Sequence, residues 1–351
     1  MNILNELDAL TSLQLEIMIY RAIEEAISTG QNEPSIVAEL TKKIPESLKS
    51  LTKIGKYTLT TGGIFVHQTP KVKFNGMQKT SIEIGDLLLL NTIIDQRGNR
   101  SRRAMLFQAK MVDALPATPD NGDQHDLYEK WPLYTYVHGA LQNQHRYITA
   151  PDLHLAAKYL LLNKNNAGIP FKRHYLKQAL ANASALTASP TRPLNHYQCF
   201  AEELRQFILG NAGKIFLAMD DQDYKNYSDL HNIGISYPPS VKNVLPFLFG
   251  FYDWEGWSLM VNDLIRSTAR KATRLMNVQP SSQATGVRGV NVENIMMFTS
   301  SISLISQLAP PSDQVPTDKN DPNEEDGGIS IIEFILQEVE GTENNKYLEE
   351  I

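Results

Sequence analysis

The stretch IEIGDLLLLNTIIDQRGNRSRRAMLFQAK, residues 82–110, decides how this chain folds. Two apolar runs, Leu87–Ile94 and 104–107, flank a polar segment centred on Arg97-Gly98-Asn99. Apolar runs separated by a short polar segment with a glycine are typical of a β-hairpin. The stretch therefore predicts two antiparallel strands joined by a short loop.

The polar residues at the ends of these strands fall on one face. Side chains at i and i+2 share a face of a strand, so Gln108 and Lys110 project together. A loop centred on Arg97 places Asp86 opposite Gln108, and a loop centred on Gly98 places it opposite Lys110. Both registers put all three polar groups on the same face, whereas a slip of one residue would separate them.

Three converging polar groups on apolar strands indicate a site, because burying them without a partner is costly. Asp86 offers a carboxylate oxygen and Gln108 a carbonyl oxygen, and both are hard ligands that suit Mg²⁺. Lys110 can orient a water nucleophile or offset charge that develops on a phosphate. This combination predicts phosphodiester hydrolysis. The alternative is a structural hairpin, in which Asp86 caps the strand and Lys110 extends into solvent.

The Gly-Asp pair before one apolar strand and the Gln-Ala-Lys end of the next resemble the active site of the PD-(D/E)XK nuclease superfamily. The resemblance is to the variant with Gln at the second acidic position, as in Mrr-type restriction endonucleases, and it covers about residues 30–140. It implies an α/β fold with a restriction-endonuclease-like mixed β-sheet flanked by helices. It also implies a Mg²⁺- or Mn²⁺-dependent endonuclease with Asp86 and Gln108 at the metal and Lys110 as the catalytic lysine.

The superfamily resemblance also implies an acid on an upstream helix. Glu33 is the leading candidate because Pro34 follows it and suits the first turn of a helix over residues 34–44. Glu24 lies on the preceding predicted helix, residues 11–29, and Glu83 lies three residues before Asp86. Both stay open as alternatives.

Four arginines in and after the hairpin loop are candidates for holding a nucleic-acid backbone, because guanidinium groups pair well with phosphates. They are Arg97, Arg100, Arg102 and Arg103. We expect them to lie close to the proposed site.

The composition and the motifs of the sequence exclude several other classes of protein. The first residues carry acids instead of a basic segment before an apolar run, and no stretch approaches 18 apolar residues, so we expect neither a signal peptide nor a membrane span and predict a cytoplasmic protein. The single cysteine, Cys199, excludes an internal disulfide and a Cys-rich zinc site. Phosphate-loop, dinucleotide-binding, serine-hydrolase and zinc-protease motifs are missing from the sequence.

Charge divides the 351 residues unevenly. Residues 311–351 hold twelve acidic residues and two lysines, while the rest hold 27 acidic and 31 basic residues. This charge distribution predicts an acidic linker and tail over 311–351. The resemblance implies a nuclease-like domain over 1–150, and the mostly helical patterns after residue 150 predict an α-rich accessory domain over 151–310. Helices are predicted at 152–163, 195–209 and 253–276. The apolar part of the tail at 329–339 is predicted either to fold back over the body of the protein or to bind another chain, as a protein partner or a second copy.

The function that these features predict is metal-dependent cleavage of DNA, and the resemblance implies a role in prokaryotic restriction or anti-phage defence. Two other classes of function remain. One is a catalytically inactive nucleic-acid-binding or assembly subunit that keeps the fold. The other is a scaffold whose helical domain and tail bind a partner and which has no affinity for DNA.

Overall fold

The fold is taken from a computed structural model of the chain, which describes residues 7–66, 70–118, 121–148, 152–167, 183–236, 256–275 and 328–339. Its six described helices are α1 (Ala9–Thr29), α2 (Glu33–Leu48), α3 (Gly122–Lys130), α4 (Phe200–Ile208), α5 (Asp221–Ser236) and α6 (Trp257–Leu275). Its described strands are β1 (Lys53–Ile54), β2 (Tyr57–Ile64), β3 (Lys71–Phe74), β4 (Ile82–Glu83), β5 (Leu87–Ile94), β6 (Arg100–Met111), β7 (Tyr134–Tyr136), β8 (His145–Arg146), β9 (Ala157–Leu162), β10 (Ala185–Ser189), β11 (Asn195–Cys199), β12 (Lys214–Ile215) and β13 (Ser330–Glu338).

A mixed nine-stranded sheet forms the centre of the described part of the molecule. Its order is β1-β2-β13-β5-β6-β9-β10-β11, with β12 paired to β6. The β13–β5 and β6–β9 pairs are parallel and the other pairs are antiparallel. A second, antiparallel sheet has the order β4-β3-β7-β8. The predicted α/β class with a mixed sheet flanked by helices is confirmed.

The hairpin of β5 and β6 has one of the two predicted registers. Leu87 lies opposite Phe107 and Ile94 lies opposite Arg100, so the loop is centred on Arg97. Asp95 closes the loop, because its Oδ1 accepts hydrogen bonds from the backbone N–H groups of Arg97 and Asn99, at 2.9 and 2.8 Å. This register places Asp86 opposite Gln108.

Apolar side chains fill both faces of the large sheet. Leu87 and Leu89 of β5 pack into a core with α1, α2 and α4, while Leu88 and Leu90 pack into a second core with α3 and α6. A strand that is buried on both faces has a continuous run of apolar residues in its sequence. This burial explains the sequence LLLL at residues 87–90. The two cores hold the hairpin rigidly between helices.

The two N-terminal helices begin at capped positions. Asp8 accepts a hydrogen bond from the Thr11 N–H at 2.8 Å, and Asn32 and Ser35 form a reciprocal capping box at the start of α2. Pro34 lies in the first turn of α2, as predicted. The cap fixes Glu33 as the first helical residue.

The apolar part of the tail differs most from the prediction. Residues 330–338 form β13 in the middle of the large sheet, antiparallel to β2 and parallel to β5. The segment therefore folds back onto the body of the chain, one of the two predicted outcomes, but it does so as a buried strand inside the sheet and not as an amphipathic segment on the surface. Alternating and consecutive apolar residues satisfy a buried strand as well as an amphipathic segment, and short apolar runs do not distinguish the two by periodicity. The linker over 311–327 lies outside the described residues.

Two predicted helices are also corrected. Residues 152–163 form a short 3₁₀ turn followed by β9, and residues 195–209 form β11 followed by α4. The segment AKYLLL is buried on both faces of the sheet, and this burial overrides its helical spacing. Because β9, β10 and β11 extend the same sheet as β5 and β6, the sheet does not end at the predicted domain boundary of residue 150.

The predicted helix over 253–276 is present as α6, and the predicted residues 253–255 and 276 lie outside the described residues. In the part of the chain that the structure describes, no helix combines the length and apolar character that crossing a membrane requires.

Candidate active site

Asp86, Gln108 and Lys110 meet where β5 begins and β6 ends. The Asp86 N–H donates to the Phe107 carbonyl at 2.8 Å, which continues the hairpin ladder beyond Leu87. The Asp86 Oδ2 accepts from the Ala109 N–H at 2.7 Å and also from the Gln108 side-chain amide. The carboxylate is thus fixed against β6, as the sequence predicted.

A close approach of α3 fixes the chain just before Asp86. The Tyr128 hydroxyl donates to the Ile84 carbonyl at 2.9 Å. A Cβ atom at Gly85 would lie 2.7 Å from Leu106 Cδ1 and 2.8 Å from the Tyr128 hydroxyl, distances that are too short for a side chain. Gly85 is therefore needed for α3 and β6 to pack against the first residue of the site.

Glu33 is the upstream acid that the structure brings to this site. Its Oε1 lies 3.4 Å from Lys110 Nζ, and its carboxylate also accepts a hydrogen bond from the Met111 N–H. Glu83 lies close enough to act electrostatically on both Asp86 and Glu33. Glu24 instead accepts a hydrogen bond from Ser184. Of the three candidates, Glu33 is the one that contacts Lys110.

The acids at the site repel one another. Burial raises the pKa of Asp86 to about 8, and the negative charges of Glu33 and Glu83 add to this effect, while Lys110 and the Ala109 N–H oppose it. Burial also raises the pKa of Glu33, against the opposing charge of Lys110. A second positive charge at the site would relieve this repulsion.

Gln124 is a site residue that the sequence did not reveal. From α3, its buried Nε2 donates to the Gln108 Oε1 and, at 3.3 Å, to the Glu83 carbonyl. Gln124 therefore holds the Gln108 amide from one side while Asp86 holds it from the other. The only signal in the sequence is that Asn121 caps a helix three residues earlier, which gives no indication of where the side chain points.

The oxygen donors at this site suit a hard divalent cation. Asp86, Glu33 and the Gln108 carbonyl offer the oxygen types that Mg²⁺ and Mn²⁺ prefer. The Asp86 Oδ1 makes no hydrogen bond to any described residue, because both donors bond to Oδ2. The Gln108 Oε1 is bound by Gln124, so coordination through this oxygen requires the amide of Gln108 to turn.

A second group of potential metal ligands lies on the other side of α3. His125, Asp126 and Glu129 bring their ligand atoms within 4.8 Å of one another and could hold a metal ion. Arg192 already binds this group, donating to His125 Nδ1 and to Asp126 Oδ1, both at 2.8 Å. A metal at His125 would have to displace this guanidinium.

The four hairpin arginines do not lie beside the site, which corrects the expectation that they do. Asp86 and Gln108 lie at the open end of the hairpin, and the loop lies at its other end. At about 3.3 Å per strand residue, Arg100 is roughly 26 Å along β6 from Gln108, and Arg97 lies in the loop beyond Arg100. Arg102 lies nearer, and Arg103 donates to the Gly213 carbonyl at 2.8 Å. A role for Arg97, Arg100, Arg102 and Arg103 in binding nucleic acid therefore needs a substrate that extends to the hairpin tip.

The comparisons with known proteins give no relative from which a function could be transferred. No family model, curated protein or solved structure matches this chain. The functional argument rests on the geometry of the site.

Proposed function

We propose that this protein is a metal-dependent deoxyribonuclease that hydrolyses phosphodiester bonds at a PD-(D/E)XK-type site, and that it acts in prokaryotic restriction or anti-phage defence. One observation carries the proposal. An upstream helix, β5 and β6 together bring Glu33, Asp86, Gln108 and Lys110 to one place, although Glu33 and Lys110 are 77 residues apart. These four residue types at these positions are what the superfamily resemblance implies.

Each side chain has a role that follows from its position. Asp86 and Gln108, with Glu33 beside them, would hold Mg²⁺ or Mn²⁺, which polarises a phosphate oxygen and lowers the pKa of bound water. Lys110 contacts Glu33 and is partly open to solvent, since its side chain is 23% exposed. It would orient the attacking water and offset the negative charge of the transition state, while Glu33 positions its ammonium group.

The second candidate function is a nucleic-acid-binding or assembly subunit with an inactive site. The observation that favours it is the hydrogen bonding of Gln108, whose amide is bound by Asp86 on one side and Gln124 on the other. If that amide never turns, the metal keeps only the carboxylates of Asp86 and Glu33, and Glu33 is already paired with Lys110. The two functions predict different behaviour with divalent cations.

The test of the proposed function is cleavage of supercoiled plasmid and of linear DNA by the purified full chain in Mg²⁺, in Mn²⁺ and in a chelator. We expect nicked or linear products with either metal and none in the chelator. DNA binding without cleavage under every metal condition would favour the inactive subunit. Cleavage that persists in the chelator would place the activity elsewhere.

The raised pKa of Asp86 predicts a pH dependence of metal binding. A cation binds the deprotonated carboxylate, so below the pKa of about 8 a proton must leave first. The apparent affinity for Mn²⁺ should therefore rise about tenfold per pH unit up to pH ~8 and then level off. Titration calorimetry from pH 6 to 9 measures this, with Asp86→Asn as the control. A pH-independent affinity, or one that Asp86→Asn leaves unchanged, would contradict the assignment.

A further inference from the structure

The second sheet has one buried face and one outer face. Its inner face buries Val72, Tyr134, Tyr136 and Arg146. Its outer face presents Lys71 and Lys73 of β3, Thr135 of β7, His145 of β8 and Glu83 of β4. Side chains alternate between faces along a strand, so β3 places its two lysines side by side, about 7 Å apart. We call this five-residue surface the lysine face.

The lysines on this face are available to an anionic partner. Lys71 and Lys73 are exposed, and neither makes a side-chain hydrogen bond or ion pair with any residue that the structure describes. Lys79, on the loop between β3 and β4, is also exposed, and its backbone N–H is fixed by the Asp123 carboxylate at 2.8 Å. Glu83 is the only acidic residue on the described lysine face.

The lysine face is continuous with the candidate active site. Lys71 lies directly opposite Glu83 across the β3–β4 pair, which places their Cβ atoms about 5 Å apart. Glu83 acts electrostatically on Asp86, and its carbonyl accepts a hydrogen bond from Gln124. A polyanion lying on the two lysines would therefore lie beside Glu83, the residue that links this face to the metal ligands.

We propose that the lysine face binds the phosphate backbone of double-stranded DNA and leads it to Asp86. This inference rests on the proposed function and names the surface that holds its substrate. Lys71 and Lys73 neutralise backbone charge next to the site, a task for which the hairpin arginines are too distant. Their primary amines act as point charges that position the duplex without reading its sequence.

The chemistry of the lysine face favours a duplex over a single strand. Proteins that bind single strands without sequence preference stack bases on exposed aromatic side chains. None of the five residues of the lysine face is aromatic, and Tyr134 and Tyr136 point into the core. Tyr147, which follows β8 and is 37% exposed, is a single ring and cannot stack successive bases. It offers ammonium groups, with Thr135 and His145 hydrogen-bonded to each other at 2.8 Å. Such groups contact phosphates and not base faces.

The test compares two lysine pairs. Affinity for a fluorescent duplex is measured by anisotropy over a range of salt concentrations, in chelator and again in Ca²⁺, for wild type and for Lys71→Ala/Lys73→Ala. The matched control is Lys49→Ala/Lys53→Ala, which removes two exposed lysines beyond the other end of α2, roughly 24 Å from Glu33. Arg97→Ala/Arg100→Ala tests the hairpin tip in the same way.

Removing Lys71 and Lys73 should weaken duplex binding and reduce the log-log salt slope by about 1.8 units, while the Lys49/Lys53 control keeps the wild-type slope. An unchanged slope, an equal change in the control pair, or a wild type that prefers the single strand would overturn the inference. A wild type that binds no duplex in either condition would overturn it as well. Wild-type binding with the expected loss but without cleavage in Mg²⁺ would keep the lysine face and reject the proposed nuclease activity.

Discussion

Removing residues 328–351 is expected to abolish the native fold. The deletion takes away β13, which pairs with β2 on one side and with β5 on the other. Four large apolar side chains of β13, those of Ile331, Ile332, Phe334 and Leu336, are at most 1% exposed. At about 1.5–3 kcal/mol each, their burial contributes roughly 6–12 kcal/mol. This is as large as the whole stability of a typical domain.

The control for this prediction is a chain that ends at residue 339, which keeps all of β13. Circular dichroism and urea denaturation of the two truncated proteins measure the difference. We expect a cooperative transition near that of the full chain for the control, and an aggregated or unfolded protein for the longer deletion. A longer deletion that still unfolds cooperatively near the wild-type midpoint would show that β13 is dispensable.

Replacing Lys110 is expected to have the largest effect on catalysis. Lys110→Ala removes the ammonium group that would orient water and stabilise the transition state, and groups of this kind contribute on the order of 10²–10³ in rate. Affinity for DNA should stay nearly normal, because Lys110 contacts Glu33 and not the lysine face. The measurement is the single-turnover cleavage rate together with the duplex affinity.

Lys49→Ala is the matched control for Lys110→Ala, since it removes an exposed lysine at the other end of α2. We expect it to cleave at the wild-type rate. Lys110→Arg adds a second comparison, because it keeps the charge but changes the geometry. If Lys110→Ala cleaves as fast as wild type, Lys110 has no catalytic role. The proposal that the end of β6 forms part of a nuclease active site would then be wrong.

The hairpin and its polar end could be predicted from sequence because local patterns determine them. The apolar runs predict β5 and β6, and the polar segment around Gly98 predicts the loop between them. Because side chains alternate between the two faces of a strand, Asp86, Gln108 and Lys110 then lie on one face. Glu33 was found for a related reason. The resemblance implies an acid on an upstream helix, and Pro34, which suits the first turn of a helix, placed Glu33 at the start of α2.

The parts that could not be predicted depend on distant pairings. Nothing near Ile331 indicates that its strand lies between β2 and β5, more than 200 residues earlier in the chain. The segment AKYLLL satisfies helical and strand patterns equally, and its burial on both faces decides the outcome. Gln124 belongs to the site only because α3 packs against the first residues of β5, a contact that no spacing in the sequence encodes.

The most direct test of the central claim is a crystal structure of the full chain soaked with Mn²⁺ at pH 8.5, above the pKa of about 8 to which burial raises Asp86. We expect an anomalous peak within direct coordination distance of an oxygen of Asp86 and of the Gln108 Oε1, with the Gln108 amide turned away from Gln124. A peak only at His125, Asp126 and Glu129, or no peak beside Asp86, would contradict it.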